Sequence, residues 1–549
     1  DDYIALVGRA QREDGYISTK QIIGEMQANG VKRLGDINDF EVYNFGHLFT
    51  AACQYKRITG KDNFLRIAIK AAGYLENMYH EAASTGEVKT AVCPSHYMGL
   101  VELYRTTGER RYLNLAKQAI ELRDSVKDGT DDNQDKLPLR EHTKIVGHAV
   151  RSTYLYAGVA DLYMETGDEA LKEVLDKVWT NLTDKKLYIN GGCGAIYNGM
   201  SPYGNFMGDQ KVHQAFGYEY QLPNVTAYNE TCGTLGNIFW NYRMFAMEPQ
   251  AKYFDLIERS MYNLALAAIS LDGDKYFYEN MLRRAKKLDY DLIWPLTRSH
   301  YISCFCCPTN LSRSIMEALE YTYMVSDSEV YLGMYGASEV RFKLGNGAAF
   351  TMVQDTAYPW DGAIRFSFRN VRSEQGFVLK LRIPSWAESG SIVYNGKTRV
   401  ITEEDANTYI SLEINDPANS QIAVTFDMPV RYTVAHPLVE ETNNQVAVER
   451  GPLLYCMENP DADVETLDDL FLLSDAEYRT TDYEILGRKL VALESKAAIL
   501  KRKHDRKALY QPLKVDGVET VPIRMIPYFA WDNRGYGEMR IWMPIMYRF

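Results

Sequence analysis

From the start of the chain to about residue 326, apolar positions recur three and four residues apart, the spacing of amphipathic helices. Three of these runs end on the same pair, Thr59-Gly60, Thr107-Gly108 and Thr166-Gly167. Each glycine suits the left-handed residue that closes a helix. A tyrosine precedes each pair (Tyr55, Tyr104, Tyr163), and charged residues open the next run (Lys61-Asp62, Glu109-Arg110, Asp168-Glu169). The unit is a repeated helical hairpin. Its uneven spacing disfavours a strict solenoid. A closed ring of hairpins buries every inner helix without capping repeats, so an α/α toroid is expected, with an irregular helical bundle as the alternative. Residues 183–224 interrupt the pattern with turn signals at Asn190-Gly191-Gly192 and Tyr203-Gly204-Asn205. Leu311, Ile315, Leu319 and Tyr323 then predict a helix over 308–325 with one buried face, Pro308 in its first position and Cys307 just outside it.

After residue 327 the period changes. Residues 340–344, 364–368 and 378–383 read as short β-prone runs between turns, and similar runs follow at 408–413, 421–426 and 445–457. A helical or irregular stretch at 459–475 interrupts them, and two late strands, 522–530 and 538–545, are expected. The organisation predicted is a helical domain, 1–326, and a β region, 327–549, of one or two antiparallel sandwiches.

Composition narrows the function. The 549 residues carry 61 basic and 73 acidic side chains, a net charge of −12, and no basic run, which argues against a nucleic-acid partner. No apolar stretch approaches the ~20 residues of a membrane span. The 40 tyrosines suit sugar-binding clefts and cores alike. The chain opens on Asp1, read as a removed leader or a start within a longer chain. A periplasmic or secreted bacterial protein is expected; the oligomeric state is left open.

The densest chemistry is Ser303-Cys304-Phe305-Cys306-Cys307-Pro308-Thr309-Asn310, with three cysteines in four positions at a helix start. Helix N-termini favour thiolate. A second cluster, Asn229-Glu230-Thr231-Cys232-Gly233, adds a carboxylate and a thiol that share a direction if the segment is extended. Glu230, Cys232, Cys306 and Cys307 together suit tetrahedral zinc. The alternative is a set of buried thiols. Cys53, Cys93, Cys193 and Cys456 are scattered, as isolated core thiols are.

Several motifs resemble glycoside hydrolase family 127 along nearly the whole chain. They are Asp14-Gly15-Tyr16, Tyr43-Asn44-Phe45-Gly46-His47-Leu48, Gly147-His148-Ala149-Val150-Arg151, Leu222-Pro223-Asn224, Tyr228-Asn229-Glu230-Thr231-Cys232, Cys306-Cys307-Pro308-Thr309-Asn310 and the run from Ile526 to Gly535. The resemblance implies an (α/α)6 barrel followed by β-sandwich material. It implies zinc on Glu230, Cys232, Cys306 and Cys307, and retaining hydrolysis of a terminal furanoside, typically β-L-arabinofuranose, with Cys306 as nucleophile. Cys304 has no implied role.

One position departs from the family. Its general acid/base is a glutamate sixteen positions before the metal glutamate, and here Gln214 stands there. An amide cannot exchange the proton, and that help is worth roughly 10²–10⁴-fold in rate. His213, Glu219 or a carboxylate on the substrate could replace it. Some members of the family release aceric acid, a branched acidic furanose of the pectic polysaccharide rhamnogalacturonan II, and an amide at 214 suits such a sugar. The alternatives are a β-L-arabinofuranosidase with a relocated acid/base, or a carbohydrate-binding relative that has lost turnover. A metal-stabilised structural protein and an α/α-barrel polysaccharide lyase fit less well. An oligosaccharide from plant cell walls is the expected partner. His47, His148, Tyr278 and Arg151 are candidate sugar contacts, with Asn280, Arg298 and His96 as weaker ones.

Overall fold

The computed structural model describes residues 1–201, 203, 211–373, 375–502 and 508–548. Gly204 and Asn205 of the second turn signal lie outside them. The chain divides into two compact units, one of Asp1–Leu187 with Cys193–Glu219, the other of Tyr188–Gly192 with Tyr220–Phe549.

The first unit is helical. The Thr-Gly pairs close their helices as the pattern predicts: Gly60, Gly108 and Gly167 sit at φ 74°, 74° and 66° after helices Glu41–Thr59, Ser95–Thr107 and Ala149–Thr166. The threonine is part of the device. Thr59 Oγ1 donates to the Tyr55 carbonyl and accepts the Lys61 N–H, and Thr107 repeats both bonds with Leu103 and Glu109. A fourth copy, Thr85-Gly86, closes Asn63–Thr85 in the same way, with Gly86 at φ 70°. It lacks the preceding tyrosine and escaped the sequence pattern.

Helices Glu41–Thr59 and Ser95–Thr107 cross at very short range. A Cβ on Gly46 would lie 2.1 Å from Ser95 Oγ and 2.3 Å from the His96 backbone nitrogen, and one on Gly99 would lie 2.6 Å from the Gly46 carbonyl oxygen. The contact fixes the helix that carries His47. Gly46→Ala must push these backbones apart, and we expect it to cost about 3 kcal/mol. Urea unfolding checks this; a midpoint unchanged from the wild type would refute it. The interruption at 183–224 forms a hairpin of Ile196–Met200 and Lys211–Ala215, with Asn198 opposite His213.

Among the described residues, the second unit holds the α-helices Thr231–Met247, Ala251–Arg259 (continued by the π-helix Ser260–Ala265) and Cys306–Glu317, and most of the strands. A six-stranded sheet (338–343, 349–356, 363–369, 390–394, 397–401, 421–426) and a four-stranded sheet (323–325, 329–332, 377–383, 408–414) bury their apolar positions in one cluster. Along Ala363–Arg369 the residues Ile364, Phe366 and Phe368 point inward while Arg365 and Arg369 point out, as period-two alternation requires. Phe377, Leu379, Leu381 and Ile383 join that cluster from the four-stranded sheet. A ten-stranded sheet gathers strands from 430–546 together with Arg283–Arg284. The stretch at 459–475 consists of two short 3-10 turns and the strand Leu470–Leu473.

Two expectations need correction. The sheets are not purely antiparallel: Glu329–Leu332 runs parallel to Phe377–Ile383, and Leu470–Leu473 parallel to Met543–Met546. Each pairs segments distant in the chain, which no hairpin turn signals. The helix expected over 308–325 is Cys306–Glu317. Pro308 is its third residue, and a proline in the first turn removes no helical hydrogen bond, so the helix starts earlier and includes Cys307. Leu311 is buried, but Ile315 and Leu319 are 40% and 76% exposed and Tyr323 begins a strand.

Candidate functional site

The four predicted ligand residues meet in the second unit. Two helix starts supply them. Glu230 is the extended residue capping Thr231–Met247, and Cys232 is in that helix's first turn, so the pair is not in one extended segment as its spacing suggested. Cys306 and Cys307 open Cys306–Glu317.

The Glu230 segment is locked against residues 277–280. Glu230 and Glu279 form an isolated antiparallel bridge, and the Thr231 N–H donates to the Tyr278 carbonyl at 2.9 Å. Asn229 and Asn280 clasp each other, each side-chain amide donating to the other's carbonyl, at 3.0 and 3.1 Å. The Asn280 amide also reaches Thr231 Oγ1 at 2.9 Å. Gly192 leaves the room this clasp needs, since a Cβ there would lie 1.8 Å from Asn229 Oδ1. Asn280, a candidate sugar contact, is thus fully buried in a structural role.

One donor atom from each of Glu230, Cys232, Cys306 and Cys307 lies within 4.8 Å of all the others. Cys232 Sγ is 3.4 Å from Cys307 Sγ, and Cys306 Sγ is 3.8 Å from Cys307 Sγ. Glu230 Oε1 lies 3.8 Å from Cys306 Sγ and 3.9 Å from Cys307 Sγ. Ligands ~2.3 Å from a tetrahedral ion lie about 3.8 Å apart along the edges, so these separations fit zinc. None is near the ~2.05 Å of a disulfide.

The electrostatics also fit a cation. Burial, reinforced by negative charge on Cys306 and Cys304, pushes the Glu230 carboxyl well above its usual range. Burial likewise pushes the Cys307 thiol well up, with Cys232 and Cys306 adding to it. The ready thiolate expected at a helix start is therefore not what residue 307 has by itself; desolvation outweighs the dipole. Burial also opposes ionisation of Cys232, but hydrogen bonds from Cys306, Cys307 and Asn310 outweigh it and hold that thiol at about 7. A divalent ion would supply the charge that this buried acidic set lacks.

Tyr228 and Asn310, which the sequence alone does not single out, support these donors. Tyr228 donates its hydroxyl to Glu230 Oε2 at 3.2 Å, and the Asn310 amide donates to Cys232 Sγ at 3.3 Å. Such outer partners orient metal ligands. Tyr278 is buried and stacks on Trp294 with centroids 3.6 Å apart. Cys304 Sγ is 3.7 Å from Cys306 Sγ, outside the four-atom group. Arg298, a candidate carboxylate partner, is instead buried, its guanidinium donating to the carbonyls of Ala267, Trp531 and Phe529 with the Asp532 carboxylate 4.0 Å away.

The remaining candidates lie in the first unit. His47 is half-buried between Tyr43 and Tyr154, with ring centroids 4.4 and 5.9 Å away. His96 is buried, bonded to the Tyr79 hydroxyl, and burial pushes it down to about 3. His148 Nε2 lies 2.7 Å from Gln214 Oε1, and burial pushes that imidazole also to about 3, so it is neutral and donates to the amide oxygen. Gln214 sits at φ 50°. Arg151 is buried and pairs with Asp132 at 2.8 Å. Glu219 is held by Asn181, Lys185 and Lys144.

The sequence matches three family descriptions: "Beta-L-arabinofuranosidase, GH127 catalytic domain" over residues 1–320, the "GH127 middle domain" over 329–428 and the "Glycoside hydrolase family 127 C-terminal domain" over 430–544. It is 30% identical to a non-reducing end β-L-arabinofuranosidase of Bifidobacterium longum subsp. longum, over 98% of this chain and 84% of that protein. A solved structure titled glycoside hydrolase aligns with TM-score 0.90 and 42% identity, covering 99% of this chain and 87% of the other. A β-L-arabinofuranosidase of family 127 from Geobacillus stearothermophilus T6 aligns with TM-score 0.85 and 31% identity, covering 100% and 86%. No helix among the described residues is long and apolar enough to cross a membrane. By these matches the chain belongs to glycoside hydrolase family 127 and is a glycoside hydrolase.

Proposed function

We propose that this chain is an exo-acting, retaining furanosidase that releases a terminal furanose from plant cell-wall glycans, with Cys306 as its nucleophile. The observation that carries this reading is a difference in access. Glu230, Cys232 and Cys307 are 2%, 0% and 1% exposed, whereas Cys306 alone of the four is partly open. Bound by these four residues, zinc would keep the sulfurs deprotonated and fixed. Cys306 Sγ then attacks the anomeric carbon as the leaving oxygen departs, and water later displaces the sulfur from the retained face. Tyr228 and Asn310 hold two of the buried donors in place. The helices are read as parts of an (α/α)6 barrel spanning about 1–326, and the six- and four-stranded sheets, which share one apolar cluster, as a sandwich within 327–549.

The sugar is proposed to be acidic, of the aceric acid kind. His148 occupies the Gln214 carbonyl oxygen, which leaves the amide N–H groups to donate. A donor pair at that position suits a carboxylate on the substrate, and a glutamate there would repel it. We expect the wild type to release the acidic furanose, and Gln214→Glu to lose at least about tenfold in kcat/KM on it, which ~1.4 kcal/mol of like-charge repulsion suffices to cause. Assaying both proteins on rhamnogalacturonan II side chains and on β-L-arabinofuranosides checks this. A large gain for Gln214→Glu on arabinofuranosides, with neither protein releasing the acidic sugar, would make the chain an arabinofuranosidase instead.

A further inference from the structure

The second unit also holds a cavity of about 280 Å³ whose lining includes none of the four zinc donors. Its wall forms where two short strands pair, Arg283–Arg284 with Met539–Arg540, in a register that sets Arg283 opposite Arg540. The Leu282 carbonyl accepts the Ile541 N–H at 3.1 Å, and the Asn224 carbonyl accepts the N–H groups of Leu282 and Arg283 at 3.2 and 3.3 Å. These bonds bring Asn224 and Trp542 to the same cavity. Like charges directly opposite each other on paired strands are destabilising, so the two arginines call for anions. One oxygen serves both: Asp468 Oδ1 accepts from Arg283 Nη2 at 2.8 Å and from Arg540 Nη1 at 3.0 Å.

The cavity has a buried floor and an open mouth. Asn224, Arg540 and Trp542 are 6%, 7% and 7% exposed, whereas Arg283 is partly open and Glu441 exposed. Two floor atoms have no partner among the described residues: Arg540 Nε, a donor, and Asn224 Oδ1, an acceptor. Buried polar atoms are nearly always paired. Arg540 Nη2, on the same edge of the guanidinium as Nε, makes a long 3.4 Å bond to Gln445 Oε1. Such an edge can hold a carboxylate by two parallel bonds. Burial, with Arg283 beside it, pulls the Arg540 guanidinium down to about 10 against the charge of Asp468 and Glu538, and a further carboxylate would favour its charged form. Asn224 Oδ1 needs a donor, which a hydroxyl supplies. Glu441, whose Oε2 takes the Asn224 N–H at 2.6 Å, can accept from hydroxyls at the rim. Trp542 and Leu282 add apolar surface for the face of a ring. The volume is just under the ~300 Å³ at which pockets for drug-sized ligands begin, so it suits a single ring.

We infer that this cavity binds one carboxylated sugar residue, a uronic acid unit of a glycan, and takes no part in cleavage. The carboxylate lies on the Nε/Nη2 edge of Arg540 beside Arg283, the hydroxyls on Asn224 Oδ1 and Glu441, and the ring face on Trp542. That the ring is a sugar rests on the family to which the chain belongs.

The test measures binding of methyl galacturonoside to the zinc-loaded protein by ligand-observed NMR, beside the neutral methyl galactoside and inorganic phosphate. The wild type should bind the uronoside at least about tenfold more tightly than the neutral glycoside, as a charge-assisted pair of bonds gives. Phosphate at equal concentration should not displace it. Arg283→Gln, at a partly open position, and Arg540→Lys, which keeps the charge and loses the two-bond edge, should each weaken the uronoside about tenfold. Arg283→Gln should melt like the wild type and keep kcat/KM on an aryl furanoside within about twofold. Should Arg540→Lys fail to fold, Arg283→Gln decides. Cys306→Ala should bind the uronoside as the wild type does. Equal binding of the charged and neutral glycosides, displacement by phosphate, or an Arg283→Gln protein that binds the uronoside like the wild type would each overturn the inference. A protein that binds the uronoside through Arg283 but cleaves no furanoside would leave this site standing and overturn the furanosidase reading alone.

Discussion

Cys306→Ala is expected to lower kcat/KM by on the order of 10⁴–10⁶, the loss seen when a covalent nucleophile is removed. No other donor in the cluster can take over. Glu230, Cys232 and Cys307 are enclosed, and Tyr228 and Asn310 already bind two of them. Cys306→Ser should fare little better, because a hydroxyl is a far weaker nucleophile at neutral pH than a thiolate. Stability should suffer less than activity, since the Cys306 side chain is the one partly in solvent. A furanose carrying an alkylating group at the anomeric position should label the wild type once, at residue 306, and leave Cys306→Ala unlabelled. Activity within tenfold of the wild type, or a label on another residue, would remove Cys306 from the mechanism.

Removal of the metal should unfold or deeply destabilise the second unit. Structural zinc contributes ~10–16 kcal/mol in small zinc-dependent domains, as much as the whole stability of many proteins. Here the ion would tie the start of Thr231–Met247 to the start of Cys306–Glu317 across more than seventy intervening positions. Without it, burial drives Glu230 and Cys307 towards their protonated forms, and three enclosed polar groups, Glu230, Cys232 and Cys307, are left packed together. Dialysis against a strong chelator should lower the melting temperature by ten degrees or more, about what a loss of several kcal/mol gives. Zinc should restore it. Cys232→Ala and Cys307→Ala should melt like the chelated wild type and gain nothing from added zinc. A chelated wild type that melts as before would show that packing alone holds the site together.

Much of this was legible in the sequence because it is local. A glycine after threonine at a helix end, and alternation such as Ile364, Phe366 and Phe368, leave a mark within a few residues. The cysteine cluster was legible for a different reason: so many ligating side chains at one helix start have few other uses. What stayed hidden is built from distant partners. The clasp of Asn229 with Asn280 joins residues 51 positions apart, and Asp132 meets His213 across 81. Each member alone is an ordinary polar residue. The end of the last helix was misjudged because Ile315 and Leu319 keep the apolar period while facing water. The role of Tyr228 and Asn310 could have been suspected from their places two positions before Glu230 and three after Cys307, where a helix start turns neighbours towards the same point.

Zinc-edge X-ray absorption on the purified protein tests the central claim most directly. One zinc per chain, with three sulfurs near ~2.3 Å and one oxygen near ~2.0 Å, is the predicted first shell. A protein that binds no zinc, or an ion surrounded only by nitrogen and oxygen, would contradict it.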